Sequence, residues 1–402
     1  MILTSIDDLQ PGMVLGVGLR NREGYTLLGH GVVITSTQID RVRALGYGAV
    51  WIDDEDTRDI PHQDVLSERT RLAATTTIHE AFTLTLRETA SAGSVSVEDV
   101  RRTLEGHRFQ KTLESAGMVE RISGQVDAVV GEVLDGAVIT GLTSMRTHDS
   151  YTYQHCLDVA VTATMIGRML GYDRETLRKL AAGCILLDIG KIFVDAQILD
   201  KPTSLSPAEF ARVKDHTVLG YLFVRDNLRL GVLAAHVAYQ HHERQDGRGY
   251  PRGLTGTNRI TQGAEIHLPG RISPLGEVAA IADFHDACSS DRPYRRRLPA
   301  DRVWQMLREA TGPQFNREIA DVFLAALPPY PLGTPLLATS GRYQGYTGVV
   351  ARLNRDALHQ PVVRMLADPT GRRIEPIDLD LRREELTIRG VVDRQQALVA
   401  AG

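Results

Sequence analysis

Hydrophobic and polar residues follow three successive patterns along this chain. Over about the first fifty residues, short apolar stretches alternate with turns and close in a strand-like run, Ala49–Ile52. From about residue 64 to residue 328 apolar side chains recur at helical spacing, and beyond Pro331 short β-like segments alternate with turns. These patterns predict a mainly α protein, with an all-helical central domain flanked by a small α+β N-terminal module and a small β-rich C-terminal extension.

The same patterns indicate where the domains meet. We expect an accessory module over residues 1–56, a linker with lead-in helices over 57–148, the helical domain over 149–328 and the extension over 329–402. The acidic run Asp53–Asp56 stands at the first boundary. Charge runs are usually solvated, so this run is interpreted as a linker rather than a metal site.

One helix start is specified residue by residue. Ser206 can cap the helix, Pro207 suits its first position, and Glu209 stands where it completes a capping box. This helix would carry His216, so one potential metal ligand lies on a well-defined element.

Composition narrows the class of protein without identifying its function. The chain has 402 residues, of which 43% are hydrophobic and 24% charged, as in a globular protein with a sizeable core. The net charge of −4 gives no general attraction to a polyanion, so no DNA partner is expected. No apolar run is long enough to span a bilayer and the start lacks a basic signal region, so no membrane association is expected. Three cysteines without paired spacing fit a reducing cytoplasm.

Potential metal ligands recur along the helical region. Imidazole and carboxylate groups suit iron, manganese, zinc and nickel, and one carboxylate can bridge two ions. A single histidine on an apolar helix is more often a core or surface residue than a ligand, so the set matters more than its members. The set is His155, Asp188, His216, His241, His242 and Asp283. Four helices could direct these groups at one pocket.

The adjacent pair His241 and His242 is the most informative part of this set. Neighbouring residues on a helix point about 100° apart, so both imidazoles reach one pocket only where the helix ends. Gly247, Gly249 and Pro251 follow closely and break helices, which supplies such an end. The combination favours a metal site.

In this order the motifs resemble the HD-GYP domain of bacterial cyclic di-GMP phosphodiesterases, a branch of the HD metal-dependent phosphohydrolases. The resemblance covers roughly residues 149–325, and residues 1–56 and the tail resemble the modules that often flank such domains. The motifs are Tyr151-Thr152-x-x-His155, Asp188-Ile189-Gly190-Lys191, Lys201-Pro202, Lys214-x-His216, His241-His242-Glu243-x-x-Asp246-Gly247-x-Gly249-Tyr250-Pro251, Ile281-Ala282-Asp283-x-x-Asp286-Ala287 and Arg292-Pro293-Tyr294-Arg295.

The resemblance implies an HD-type helical fold that holds divalent metal, with iron or manganese expected. The ligands of one ion would be Asp188, His216, His241 and His242. The ligands of the other would be His155, Asp188 and Asp283. The catalytic residues would be Asp188 and Lys191. The substrate would be bound by Lys191, Tyr250, Arg292 and Arg295.

Some of these substrate contacts have a plainer alternative. Arg296 and Arg297 directly follow Arg295, and four nearby arginines cannot all face a ligand, so some of them form a solvated patch. The hydroxyl of Tyr250 could donate to a phosphate, or its ring could simply pack beneath the glycine-rich loop.

One position departs from the family pattern where it matters. Leu187 stands where the family carries a histidine ligand directly before the aspartate. One ion would therefore keep its full set of ligands, whereas the other would lose a nitrogen ligand and bind more weakly. His267 or His285 could replace the missing ligand, but proximity in sequence does not aim a side chain.

Two functions from different classes follow. The first is a metal-dependent phosphodiesterase that resembles those hydrolysing cyclic di-GMP to the linear dinucleotide or to GMP, with Leu187 placing full activity in doubt. The second is a degenerate domain that binds a cyclic dinucleotide or a protein and signals without hydrolysis. Protein partners would bind through residues 1–56, and the oligomeric state stays open, a homodimer being one option.

Overall fold

The fold is described from a computed structural model of the chain. The structure describes residues 1–20, 26–61, 64–89, 97–136, 151–228, 230–261, 269–291 and 296–392. Among the positions singled out from the sequence, His267, Arg292 and Arg295 lie outside these ranges.

The N-terminal module is a small sheet with one helix packed against it. Its strands are β1 (Ile2–Ser5), β2 (Val14–Leu15), β3 (Leu19–Arg20), β4 (Thr26–Leu28) and β5 (Ala49–Asp53), and its helix is α1 (Ser36–Ala44). An antiparallel sheet has the order β1-β5-β2, and β3 pairs with β4 in a separate ribbon. Ile39 and Val42 on the apolar face of α1 are buried in one cluster with the residues of the sheet. The predicted α+β module and its closing strand are confirmed.

Helices make up the central part of the chain. They are α2 (Glu68–Thr89), α3 (Val97–Leu104), α4 (His107–Ser115), α5 (Met118–Asp135), α6 (Tyr151–Met169), α7 (Arg174–Ile185), α8 (Ala196–Leu199), α9 (Pro207–Asn227), α10 (Val232–Gln240), α11 (Pro274–Ser289), α12 (Ala300–Ala310) and α13 (Arg317–Ala326). One hydrophobic core runs through them and includes the predicted apolar face of α5. Helix α6 packs against α7 and α11, and α10 packs against α7, α9 and α11. The predicted mainly α fold is confirmed.

The helix that begins after Ser206 starts as its sequence predicts. The Ser206 side chain accepts a hydrogen bond from the backbone N–H of Glu209, and the Glu209 carboxylate accepts one from the backbone N–H of Ser206. Glu209 also accepts two 2.8 Å hydrogen bonds from Lys201. The start of α9, and with it the helix that carries His216, is therefore fixed by local interactions.

The C-terminal extension is an antiparallel sheet. Its strands are β6 (Pro335–Ala338), β7 (Thr347–Arg352), β8 (Val362–Ala367), β9 (Arg373–Asp380) and β10 (Ile388–Gly390), in the order β10-β6-β7-β8-β9. The predicted turn Asp368–Gly371 joins β8 to β9, and Gly371 takes a left-handed backbone conformation there. The β-rich extension is confirmed, whereas the exact domain boundaries remain predictions.

The acidic run Asp53–Asp56 forms ion pairs with the C-terminal sheet. Arg373 of β9 forms ion pairs with Asp54 and Asp56, at 2.7 and 2.5 Å. Arg364 of β8 forms a 2.6 Å ion pair with Asp59. The carboxylates of this run are therefore paired with distant arginines, which the local pattern cannot reveal, and the linker remains a prediction.

Within the part of the chain that the structure describes, no helix combines the length and the hydrophobicity needed to cross a bilayer.

Candidate metal centre

The six predicted ligands come from three helices and from the segments that directly follow two others. His155 lies in α6, His216 in α9 and Asp283 in α11, while Asp188 follows α7. Helix α10 ends at Gln240, and His241 and His242 come directly after it. The predicted helix end is thus present, and it lets both imidazoles approach the same point.

Asp188 is the residue that all the others surround. It is 1% exposed, and its Oδ2 lies 3.5 Å from His155 Nε2 and 2.6 Å from the ammonium of Lys191. Its Oδ1 lies 3.6 Å from His216 Nε2 and 3.9 Å from His241 Nε2. The two carboxylate oxygens therefore face two different groups of potential ligands.

The first group is formed by His216, His241 and His242. One ring nitrogen from each lies within 4.8 Å of the others, a spacing that can hold a metal ion. His216 donates its Nδ1–H to the carbonyl of Val213, and His241 donates its Nδ1–H to the carbonyl of Ala238. These hydrogen bonds leave both Nε2 lone pairs directed at Asp188.

The second group is formed by His155 and Asp283 together with Asp188. His155 Nε2 lies 3.1 Å from Asp283, and its Nδ1 forms a 2.6 Å hydrogen bond with Asp286. Asp286 belongs to the Asp-x-x-Asp motif of the sequence, but its hydrogen bond to His155 was not predicted. The Asp-x-x-Asp spacing was the available signal, because residues three apart share one face of a helix.

The residues present fit a metal. Within the described part of the protein, Asp188 Oδ1 is a buried carboxylate oxygen without a hydrogen-bond partner, although buried polar atoms are nearly always bonded. The groups around it are neutral nitrogen and anionic oxygen donors, the chemistry that divalent transition metals bind. A cation held there would satisfy this unpaired carboxylate oxygen.

The surroundings of His216, His241 and His242 keep these side chains in the neutral form that binds metal. Burial lowers the pKa of His216 to about 3 and also lowers the pKa values of His241 and His242. Burial alone would raise the pKa of Asp188, but Lys191 and the surrounding imidazoles hold it well below its usual range. At neutral pH these groups are neutral imidazoles and a carboxylate, so metal need not displace protons from them.

The second group has the opposite balance of charge. Burial would lower the pKa of His155, but hydrogen bonds and charges from Asp283 and Asp286 raise it to about 9. His155 is therefore an imidazolium at neutral pH while no metal is bound. Metal binding at its Nε2 would have to release a proton, which makes this half of the centre the less prepared one.

The position before Asp188 explains this asymmetry further. Leu187 is fully buried in the main hydrophobic core, so a side chain without a donor atom occupies the place of the family's histidine. His285 does not replace it, because its ring packs edge-on against Phe323 of α13, 5.5 Å between ring centroids. His267 lies outside the described residues.

Two glycines let the backbone close around the centre. A Cβ atom on Gly190 would lie 2.1 Å from the carbonyl oxygen of His216, and one on Gly249 would lie 2.5 Å from the backbone of Glu243. The Glu243 carboxylate accepts hydrogen bonds from the backbone N–H groups of Arg252 and Leu254, at 2.7 and 2.8 Å. It thereby fixes the loop that carries Tyr250, a role that the sequence analysis missed.

Two of the four predicted substrate contacts can be placed. Lys191 is half-buried beside Asp188, and the ring of Tyr250 stacks on His242 with centroids 4.7 Å apart. Burial and the nearby charges of Asp283 and Asp188 raise the pKa of Tyr250, so its hydroxyl stays protonated. Arg292 and Arg295 lie outside the described residues.

Comparison with known proteins shows what the chain is similar to. Residues 140–319 match the family described as HD domain. A cyclic di-GMP phosphodiesterase of Pseudomonas aeruginosa is 28% identical over 337 residues, covering 82% of this chain and 76% of that protein. One of Thermotoga maritima is 34% identical over 194 residues, covering 48% of each chain. A 3′3′-cGAMP-specific phosphodiesterase of Vibrio cholerae is 32% identical, covering 53% of this chain and 44% of that protein.

Among solved structures, an HDG"Y"P protein from Bdellovibrio bacteriovorus is similar, with a TM-score of 0.41 and 16% identity over 80% of this chain and 98% of that chain. Residues 140–319 therefore carry an HD domain within the helical part of the chain, and similar proteins are named cyclic di-GMP and 3′3′-cGAMP phosphodiesterases.

The charge on His155 predicts how the metal-free protein responds to pH. Its folded pKa of about 9 lies above its ordinary value of 6.5, so the stabilisation is complete below pH 6.5 and is lost as the pH rises through 9. We expect the chelated protein to lose at most about 3 kcal/mol of unfolding free energy over this interval. Denaturant unfolding at several pH values measures it. A His155→Gln variant should lack this dependence, and an equal slope in both proteins would contradict the assignment.

The contact at Gly190 predicts a second effect. In Gly190→Ala the new methyl group must push α9 and His216 away, so we expect a loss of stability together with a lower metal content per chain. The matched control is Gly124→Ala in α5, where a Cβ atom meets nothing within 4 Å and alanine should stabilise the helix. Thermal unfolding and elemental analysis measure both effects. Normal metal content in Gly190→Ala would argue against the close approach.

Proposed function

We propose that this protein is a metal-dependent phosphodiesterase that hydrolyses cyclic di-GMP in bacterial second-messenger signalling. The observation that carries the proposal is the unpaired carboxylate oxygen of Asp188 between two groups of metal-binding side chains. The similar proteins from Pseudomonas aeruginosa and Thermotoga maritima are named cyclic di-GMP phosphodiesterases, which supports the substrate. The Vibrio cholerae relative is named for 3′3′-cGAMP, so another cyclic dinucleotide is the natural comparison.

The metal we propose is iron or manganese, because both accept mixed imidazole and carboxylate ligands. The ligands would be His155, Asp188, His216, His241, His242 and Asp283. Metal held by these residues would supply positive charge near phosphorus and would lower the pKa of a nearby water. The deep burial of Asp188 and His216 keeps bulk water from competing with these interactions.

The residues around the centre have separate tasks in this proposal. Asp188 would contribute its carboxylate to holding the metal on both sides of the centre. Lys191 extends from the buried carboxylate towards solvent, so its charge is placed to bind a phosphate oxygen. Within the described residues the hydroxyl of Tyr250 makes no hydrogen bond, and its stacked ring aims it as a donor to the same phosphate. Arg292 and Arg295 would neutralise the remaining charge.

Leu187 reduces the reaction in this proposal without abolishing it. Three donors, His155, Asp188 and Asp283, still surround the second half of the centre, and catalytic metal sites often have three protein ligands. The missing imidazole and the proton on His155 both weaken this half. A domain that binds the dinucleotide without cleaving it is the second candidate, and the same leucine is the observation that favours it.

An activity assay separates the two candidates. We expect the native chain, loaded with manganese or iron, to convert cyclic di-GMP to linear products, and Asp188→Ala to lose this activity because both ions lose a ligand. Leu187→His should raise the rate at limiting metal by about tenfold, the usual scale for one supporting group at a metal. Chromatography of the products at several metal concentrations measures the rates.

The matched control is Asp321→Ala, which removes an exposed carboxylate from α13 and should leave the rate unchanged. If the native chain is inactive while Leu187→His is active, the natural protein is a binding module and the proposed function is wrong. The cytoplasmic location, the protein partners of residues 1–56 and a homodimer remain proposals that this assay does not address.

A further inference from the structure

Phe210 is a large aromatic side chain that stays exposed beside the metal centre. It lies in the first turn and a half of α9, and 43% of its surface is accessible. Single exposed apolar residues are common and by themselves carry no meaning. Phe210 differs because its ring contacts Tyr250, whose ring in turn contacts His242.

These three rings form a row that leads from the centre to the surface. His242 and Tyr250 stack with their centroids 4.7 Å apart and their planes 27° apart. Tyr250 and Phe210 meet edge to face with centroids 5.9 Å apart. His242 and Tyr250 are half-buried, and Phe210 at the outer end of the row is exposed. The part of a ligand that extends from the centre towards solvent would therefore contact these aromatic rings.

A positive charge accompanies the outer two rings. The ammonium of Lys214, one turn after Phe210, lies 4.7 Å from the Phe210 centroid and 5.4 Å from that of Tyr250. No carboxylate among the described residues pairs with it. A cation over an aromatic ring is attracted to its face and steadies the orientation of the ring. Aromatic rings with a nearby positive charge are what proteins use to bind unpaired bases joined to phosphates.

We propose that Phe210, supported by Tyr250 and Lys214, forms the platform on which one purine of the cyclic dinucleotide stacks. The inference rests on the proposed function, since it takes one phosphodiester to lie at the metal centre. In a cyclic dinucleotide each phosphate is joined through a ribose to a base, so one base lies beside the pocket. Stacking accepts any base, so Phe210 adds affinity without choosing between guanine and adenine.

A fluorescent ligand tests the platform directly. The probe is a cyclic dinucleotide with phosphorothioate linkages, which resist hydrolysis, and with 2-aminopurine in place of one base, whose emission falls on stacking. We expect the native chain loaded with manganese to bind it with quenching. Phe210→Leu should weaken binding by about tenfold, near the lower end of the range for one aromatic stack, and should abolish the quenching. Phe210→Trp should retain both.

Controls distinguish stacking from damage to the protein. Leu86→Ala, which truncates a comparably exposed residue of α2, should bind as the native chain does. Metal content and inhibition by orthophosphate should be the same in Phe210→Leu and native protein. With cyclic di-GMP as substrate, Phe210→Leu should raise KM and leave kcat nearly unchanged, because stacking is made equally before and during the reaction.

The outcomes separate the two proposals. If the native chain cleaves cyclic di-GMP but Phe210→Leu binds and quenches the probe as the native chain does, the stacking platform is wrong and the proposed function stands. If the native chain neither binds the probe nor cleaves cyclic di-GMP, the proposed function fails and the platform fails with it.

Discussion

The structure depends on one buried negative charge. A carboxylate as deeply buried as Asp188 costs several kcal/mol unless cations or hydrogen-bond donors surround it. Lys191 neutralises one oxygen, and the histidines from α6, α9 and the end of α10 approach the rest. The core helices therefore converge on Asp188, whose Oδ1 has no hydrogen-bond partner among the residues that the structure describes. This unpaired oxygen is what suits the centre to a metal cation.

The asymmetry of the centre follows from the same charge. On one side, burial keeps three imidazoles neutral and ready to bind. On the other side, two aspartates hold a proton on His155, and the position that would add a nitrogen donor is the apolar Leu187. With Leu187 before Asp188, this chain retains the central carboxylate but lacks one nitrogen donor on the His155 side of the centre. We expect the lost nitrogen donor to lower the rate of hydrolysis and to leave the affinity for the dinucleotide largely unchanged.

The sequence predicted those parts of the molecule that depend on local patterns and on motif order. The capping box at Ser206 and the end of α10 before His241 are confirmed, because each is determined by residues a few positions apart. The pairing of Arg373 with the acidic run was missed, because it joins residues more than three hundred positions apart that nothing local connects. The roles of Asp286 and Glu243 were missed for a related reason. A motif identifies the residue, but only the fold shows that Asp286 bonds His155 and that Glu243 bonds the backbone of Arg252 and Leu254.

A manganese titration of the metal-free chain, followed by electron paramagnetic resonance at pH 7.5, tests the central claim most directly. The account predicts two ions per chain that differ in affinity by at least about tenfold, in line with the usual effect of one missing supporting group. The weaker ion should release a proton, should disappear in His155→Gln and should bind more tightly in Leu187→His. Two ions of equal affinity in the native chain, or no binding that depends on Asp188, would contradict the account.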